Sequence, residues 1–183
     1  MLLSHGAGGD CKAPLMVAVA ESFCEAGYCV LRWDLPFRQA GPRSSPGGSG
    51  KRDREGIQQA AEELRKLAPG VRLYLAGQSY GGRQSSMVAA ADPAIADGLL
   101  LLSYPLHPPG KPAQLRTEHF VLLRTPTLFV HGTRDPFGTV DKLREAIKLI
   151  PASARLQVID GAGHGVPPAT AASMPAWLSA GTT

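Results

Sequence analysis

The segment Gly77-Gln78-Ser79-Tyr80-Gly81-Gly82 joins a predicted buried strand, Val71–Ala76, to a predicted helix, Arg83–Ala91. A Gly-x-Ser-x-Gly pattern between a strand and a helix is typical of a sharp turn that exposes the serine hydroxyl. Small residues are required beside the serine because the turn brings two backbone segments close together. The serine also lies at the N-terminus of the helix, where the backbone amides stabilise developing negative charge. Ser79 is therefore a candidate nucleophile, and the alternative is a serine that only caps the helix.

Short apolar runs alternate with segments of helical period on both sides of this turn. The alternation predicts an α/β fold, with a mostly parallel sheet flanked by helices on both faces, in a single domain over residues 1–183. Further helices are expected from Pro14 to Gly27, over 57–67 and over 140–150. The predicted strands are Met1–Ser4, Tyr28–Trp33, Val71–Ala76, Gly98–Tyr104, Thr127–Val130 and Arg155–Ile159.

A serine hydroxyl needs a base before it can act as a nucleophile. Asp135 follows the fifth predicted strand and His164 follows the sixth, so the chain order is Ser, Asp, His. Because parallel strands end at the same edge of a sheet, we expect the three side chains to converge, with Asp135 orienting His164. The alternatives are a turn or helix cap for Asp135, a structural loop role for His164, and Asp160 as a rival acid close to that histidine in sequence.

A tetrahedral intermediate also needs amide donors for its oxyanion. Tyr80 supplies one by its position after the serine, and the glycine-rich turn after the first strand is expected to supply the other, from Ala7 first and Gly8 second. His5 in this turn is expected to brace the loop. His107 lies in a proline-rich loop, and we expect it to point into the substrate pocket, the alternative being a brace for backbone groups.

Composition and charge argue against several other classes of protein. A chain that is 44% hydrophobic and 19% charged is ordinary for a folded domain, and it holds no apolar run of about 18 residues that would span a membrane. No signal peptide is seen, and Cys11, Cys24 and Cys29 are expected to be reduced thiols in a cytoplasmic protein. The net charge of +4 includes a basic group within 38–54, but no nucleic-acid-binding motif accompanies it, so a solvated loop is favoured. No metal or organic cofactor is predicted.

Together these motifs resemble the α/β-hydrolase superfamily over essentially the whole chain. Three segments resemble, more narrowly, a small set of hydrolases that includes a testis-expressed protein and a subunit of a chromatin acetyltransferase complex, and that borders the dienelactone-hydrolase-like enzymes. They are Ser-His-Gly-Ala-Gly-Gly-Asp (4–10), Tyr-Pro-Leu-His-Pro-Pro-Gly-Lys-Pro (104–112) and His-Gly-Thr-Arg-Asp-Pro-Phe-Gly (131–138). Dienelactone hydrolases use a cysteine nucleophile, and here that position is Ser79.

The resemblance implies six parallel strands, with Tyr28–Trp33 at an exposed edge beside the first strand. The superfamily usually has two further strands before the glycine-rich turn that follows Met1–Ser4. The expected sheet therefore lacks these strands, or the true start of the protein chain lies upstream of Met1. A cap domain is not expected, and the pocket should be open and roofed by the loop 105–112. An uncovered edge strand invites pairing, so a homodimer is an alternative to a monomer.

The predicted function is hydrolysis of a carboxylic ester, or of a related acyl substrate, through an acyl-serine intermediate. Transfer of the acyl group to an acceptor other than water, or peptide cleavage, would use the same triad. The alternative from another class is a non-catalytic interaction module, because fold does not imply function. The expected partner is a small acyl substrate, with neither nucleic acid nor membrane.

Overall fold

A parallel sheet forms the centre of the molecule in the computed structural model, which describes residues 1–180. Residues 181–183 of the predicted domain lie outside the described residues. Within the described part, six strands pair in parallel in the order β2-β1-β3-β4-β5-β6, which confirms the predicted topology with β2 at one edge. The strands are β1 (Leu2–Ser4), β2 (Leu31–Trp33), β3 (Tyr74–Gln78), β4 (Gly98–Leu102), β5 (Thr127–Gly132) and β6 (Ala154–Ile159).

Helices flank the sheet on both faces. Pro14 stands in the first turn of the first helix, and Gly27 follows its end with a φ of 87°, a value that suits glycine. The helices are α1 (Pro14–Glu25), α2 (Pro36–Gln39), α3 (Lys51–Leu67), α4 (Tyr80–Ala91), α5 (Val140–Ile147) and α6 (Met174–Ser179). Short 3-10 segments lie at Phe120–Leu122 and Pro168–Ser173. Within residues 1–180, no helix is long and apolar enough to cross a membrane.

The core has two layers, one on each face of the sheet. In β4, Leu99 and Leu101 face one layer while Leu100 and Leu102 face the other, and all four are fully buried. This is why the strand reads as a continuous apolar run rather than as an alternating one. Each buried leucine contributes roughly 1.5–3 kcal/mol to folding, so the central strands are a stable base for the loops at their carboxyl ends.

Several element boundaries differ from the prediction. The strand expected over Val71–Ala76 begins at Tyr74 and continues to Gln78, because Val71 is 58% exposed and the Leu73 amide is bound by the Asp97 carboxylate. The elements α2 and α6 are missing from the prediction. They have four and six residues, too few for a helical period to be recognised.

Candidate active site

The turn between β3 and α4 holds Ser79 in a strained backbone conformation. Its φ is 49° and its ψ is −113°, a region that costs a non-glycine residue on the order of 1–3 kcal/mol. The neighbouring glycines have no room for a side chain: a Cβ on Gly77 would lie 2.5 Å from the Gly82 nitrogen, and one on Gly81 would lie 2.5 Å from the His5 carbonyl oxygen. The Ser79 amide donates to the Leu102 carbonyl at 2.8 Å, which ties the turn to β4.

A chain of hydrogen bonds links the three predicted site residues. Ser79 Oγ lies 2.7 Å from His164 Nε2, and His164 Nδ1 lies 2.9 Å and 3.0 Å from the two carboxylate oxygens of Asp135. A carboxylate accepts but does not donate, so the ring proton must be on Nδ1, and Nε2 is left to accept from the serine hydroxyl. The arrangement can take a proton from Ser79 and stabilise the resulting imidazolium.

The buried Asp135 carboxylate is held in place from a second side. One of its oxygens also accepts from the Phe137 amide at 2.8 Å, and the Phe137 ring packs on the His164 ring with centroids 4.2 Å apart. His131 Nδ1 lies 3.8 Å from the other oxygen, and this contact was not predicted. The rival acid Asp160 is exposed and accepts instead from the Thr133 hydroxyl at 3.2 Å.

The glycine-rich turn after β1 forms one wall of the site. His5 is buried and braces this turn: its Nδ1 donates to the Gly6 carbonyl at 2.8 Å, while its Nε2 accepts from the Leu35 amide at 3.1 Å. Arg38 donates to the carbonyls of Gly9 at 2.9 Å and Ala7 at 3.1 Å. These bonds use carbonyl groups of the turn, and both Ala7 and Gly8 line the cavity.

A polar network that the sequence did not predict supports Tyr80. The Tyr80 hydroxyl donates to the buried Asp53 carboxylate at 2.6 Å, and the other oxygen of Asp53 accepts from the Phe37 amide at 3.0 Å. Burial, followed by the hydrogen bond to Asp53, raises the pKa of Tyr80. Asp53 lies in the first turn of an amphipathic helix, where acidic residues are common, so no local pattern marks it as part of the site.

A cavity of about 720 Å³ opens beside Ser79 and His164. Its walls come from the glycine-rich turn after β1, from the loop 46–50, from α4, and from Pro105, Pro109 and Arg116. Pro105 and Pro109 belong to the loop 105–112, which was predicted to roof the pocket, and both lie on its wall. Within residues 1–180, no cluster of three or more His, Cys, Asp and Glu side chains could hold a metal.

His107 does not line this cavity, contrary to the prediction that it points into the pocket. Its side chain is 7% exposed, and its Nδ1 donates to the Pro108 carbonyl at 2.9 Å. Its amide donates to the Phe137 carbonyl at 3.2 Å. The residue thus braces backbone groups, which was the alternative interpretation, because the prolines on either side of it take the positions on the cavity wall.

Positive charge collects on the side of the cavity formed by α4. Arg83 and Arg116 both line it, and both are half-buried. Burial, followed by the charge of Arg83, lowers the pKa of Arg116 and also lowers the pKa of nearby His119 to about 4. His119 Nε2 lies 2.8 Å from the hydroxyl of Ser86, which itself donates to the Arg83 carbonyl.

Comparison with known proteins assigns the chain to a family. A family model described as an alpha/beta hydrolase domain matches residues 1–175, so the chain belongs to that family. A dienelactone hydrolase from Anabaena variabilis is 20% identical with a TM-score of 0.77, covering 97% of this chain and 82% of that one. Est1E from Butyrivibrio proteoclasticus, solved with ferulic acid bound, is 20% identical with a TM-score of 0.77, covering 98% and 88%.

A third solved structure, an alpha-beta serine hydrolase homologue from Coxiella burnetii, is 20% identical with a TM-score of 0.72, covering 90% of this chain and 76% of that one. At this level of identity the likeness of all three structures shows the fold.

Proposed function

We propose that this member of the alpha/beta hydrolase domain family is a serine hydrolase that cleaves a carboxylic ester through an acyl-Ser79 intermediate. The observation that carries the proposal is the hydrogen-bond chain from Ser79 Oγ through His164 to the buried Asp135, beside an open cavity. Such a chain turns a weakly nucleophilic hydroxyl into an effective one.

In the first half of the reaction, Ser79 Oγ attacks the ester carbonyl carbon while its proton passes to His164 Nε2. The carbonyl oxygen becomes an oxyanion, for which we assign the amides of Tyr80 and of Ala7 or Gly8 as donors, since all three residues line the cavity. His164 then gives its proton to the leaving alkoxide. The C–O bond breaks, the alcohol departs, and the acyl group stays on Ser79.

In the second half, His164 takes a proton from a water molecule, which attacks the acyl carbon. Collapse of this second tetrahedral intermediate breaks the bond to Ser79 Oγ, and the proton on Nε2 returns to the serine. Asp135 stabilises the imidazolium of His164 in both halves without becoming protonated.

The test is covalent labelling with a fluorophosphonate, followed by mass spectrometry of the adduct. We expect a label on Ser79 in the wild type, none in Ser79→Ala, and strongly slowed labelling in His164→Ala. Ser86→Ala is the matched control, because Ser86 also contacts a histidine but is fully buried away from the cavity. An unlabelled Ser79 in a folded wild-type protein would contradict the proposal and favour the non-catalytic interaction module.

A further inference from the structure

Two arginines on the cavity wall have no acidic partner. Arg83 lies one turn along α4 from Ser79, and its amide donates to the Ser79 carbonyl at 2.9 Å. Arg116 is anchored in the loop after β4, since its amide donates to the Leu106 carbonyl and its carbonyl accepts from the buried hydroxyl of Tyr104 at 2.7 Å. Among residues 1–180, neither guanidinium forms an ion pair or a hydrogen bond, and Arg83 Nε is buried without a partner.

Nearby carboxylates do not balance this charge. Asp53 is bound by the Tyr80 hydroxyl and the Phe37 amide. The charge of Glu118 acts on Arg116, but Glu118 is exposed to solvent and forms no ion pair with it.

The other arginines without an ion-pair or hydrogen-bond partner in the described chain are all exposed to solvent, whereas Arg83 and Arg116 are half-buried; they are Arg43, Arg52, Arg72, Arg124 and Arg134. Several further arginines do have partners. Arg38 and Arg54 donate to backbone carbonyls, and Arg144 pairs with Asp141 at 2.8 Å. Partly burying two unpaired guanidinium groups is unfavourable, so the cavity is electrostatically incomplete without an anion.

A third donor on the same wall is also unused. Gln84 lines the cavity and is 0% exposed. Its Oε1 accepts from Arg54 at 2.9 Å, which directs the amide nitrogen away from Arg54, and that nitrogen is buried with no hydrogen-bond partner. A buried donor without an acceptor costs about 1–3 kcal/mol, and an anion reaching this wall would relieve that cost.

We propose that Arg83 and Arg116 form a binding subsite for an anionic group of the substrate, a carboxylate or a phosphate carried beside the ester that Ser79 attacks. This inference rests on the proposed function and specifies its substrate class. A guanidinium binds either anion through paired, charge-assisted hydrogen bonds. The substrate is thus an ester that carries a negative charge on its acyl or its alcohol part.

The test compares esters that differ in charge and little else. On the acyl side, para-nitrophenyl hemisuccinate is compared with para-nitrophenyl butyrate. On the alcohol side, para-acetoxybenzoate and para-acetoxyphenyl phosphate are compared with neutral phenyl acetate. We expect kcat/KM to be on the order of ten- to a hundred-fold higher for the anionic member of at least one set, the range that a charged hydrogen bond supplies. Comparing para-acetoxybenzoate with para-acetoxyphenyl phosphate shows whether the subsite prefers a carboxylate or a phosphate.

Variants locate the preference. Arg83→Gln and Arg116→Gln should each remove most of the preference, and Arg83→Lys should restore part of it because lysine keeps the charge but not the planar fork. Arg144→Gln is the matched control, since it removes one positive charge from an exposed helix and should leave the preference unchanged. Fluorophosphonate labelling of Ser79 in each variant shows that the site is still folded.

The outcomes separate the two proposals. If the wild type hydrolyses neutral and anionic esters equally well, or if both arginine variants keep the preference, the anion subsite is refuted and the esterase proposal stands. If the wild type hydrolyses no ester, the esterase proposal fails. The subsite is then decided by calorimetry with inorganic phosphate and with benzoate: binding to the wild type that is lost in Arg83→Gln supports it, and no binding of either anion refutes it.

Discussion

Replacing Asp135 by asparagine changes one carboxylate oxygen into an NH2 group at nearly constant volume. One oxygen of Asp135 accepts from the Phe137 amide at 2.8 Å, so the asparagine carbonyl is expected to keep that position. The new NH2 group then takes the place of the oxygen that lies 2.9 Å from His164 Nδ1. Because an NH2 group only donates, His164 Nδ1 must accept, and the ring proton moves to Nε2.

The size of the expected loss of activity follows from this exchange of donor and acceptor roles on the His164 ring. With its proton on Nε2, His164 faces Ser79 Oγ at 2.7 Å as a donor and cannot take the hydroxyl proton. In a serine protease, the same change lowers kcat by about 10⁴, which corresponds to about 5 kcal/mol of transition-state stabilisation. We expect a similar fall in kcat/KM here. The free energy of unfolding should fall much less, since the hydrogen bond from Phe137 is kept.

The assay is kcat/KM for an activated ester in wild type and Asp135→Asn, with urea unfolding of both. Asp160→Asn is the control, because Asp160 is exposed and contacts Thr133 rather than His164. It should retain wild-type activity. An Asp135→Asn enzyme within about tenfold of the wild type would refute this account of the tautomer. Loss of activity in Asp160→Asn instead would move the orienting role to that residue.

Three further predictions concern stability. Gly81→Ala places a Cβ 2.5 Å from the His5 carbonyl oxygen, so the free energy of unfolding should fall by about 1–3 kcal/mol and labelling of Ser79 should slow. Tyr80→Phe leaves one oxygen of the buried Asp53 without its donor, which should cost about 1–3 kcal/mol in urea unfolding. Because the pKa of His119 is lowered to about 4 in the folded protein, the unfolded chain binds the proton first as the pH falls. The free energy of unfolding is therefore unaffected by His119 above about pH 6.5 and falls by about 3 kcal/mol by about pH 4 as this residue is protonated. His119→Gln should flatten that part of the plot of unfolding free energy against pH.

Each of these variants has a control. Gly163→Ala adds a Cβ where nothing lies within 4 Å and should leave stability within about 0.5 kcal/mol of the wild type. Tyr28→Phe removes a hydroxyl that forms no hydrogen bond within residues 1–180, so it should cost less than Tyr80→Phe. An unchanged pH profile in His119→Gln would show that protonation of another group causes the loss.

The sequence alone determined the type of fold and the positions where chemistry is expected. Strands buried on both faces, such as Gly98–Leu102, read as continuous apolar runs, and alternation with helices leaves a parallel sheet as the favoured arrangement. A parallel sheet brings the residues after its strands to one edge. This is why Ser79, Asp135 and His164 were expected to converge before any distance was known, and the structure places them in hydrogen-bond contact.

The tertiary structure decided the surroundings of these three residues. Asp53 reaches Tyr80 across 27 positions of the chain, and Arg116 shares a cavity with Arg83 although neither lies in a recognisable motif. Helical and strand periodicity reports which residues share a face of one element. The contacts of Asp53 and Arg116 depend instead on how α3 packs against α4 and on the path of the loop after β4. The prediction that His107 points into the pocket is wrong because the path of its proline-rich segment is set by backbone hydrogen bonds with a distant loop, as between the His107 amide and the Phe137 carbonyl.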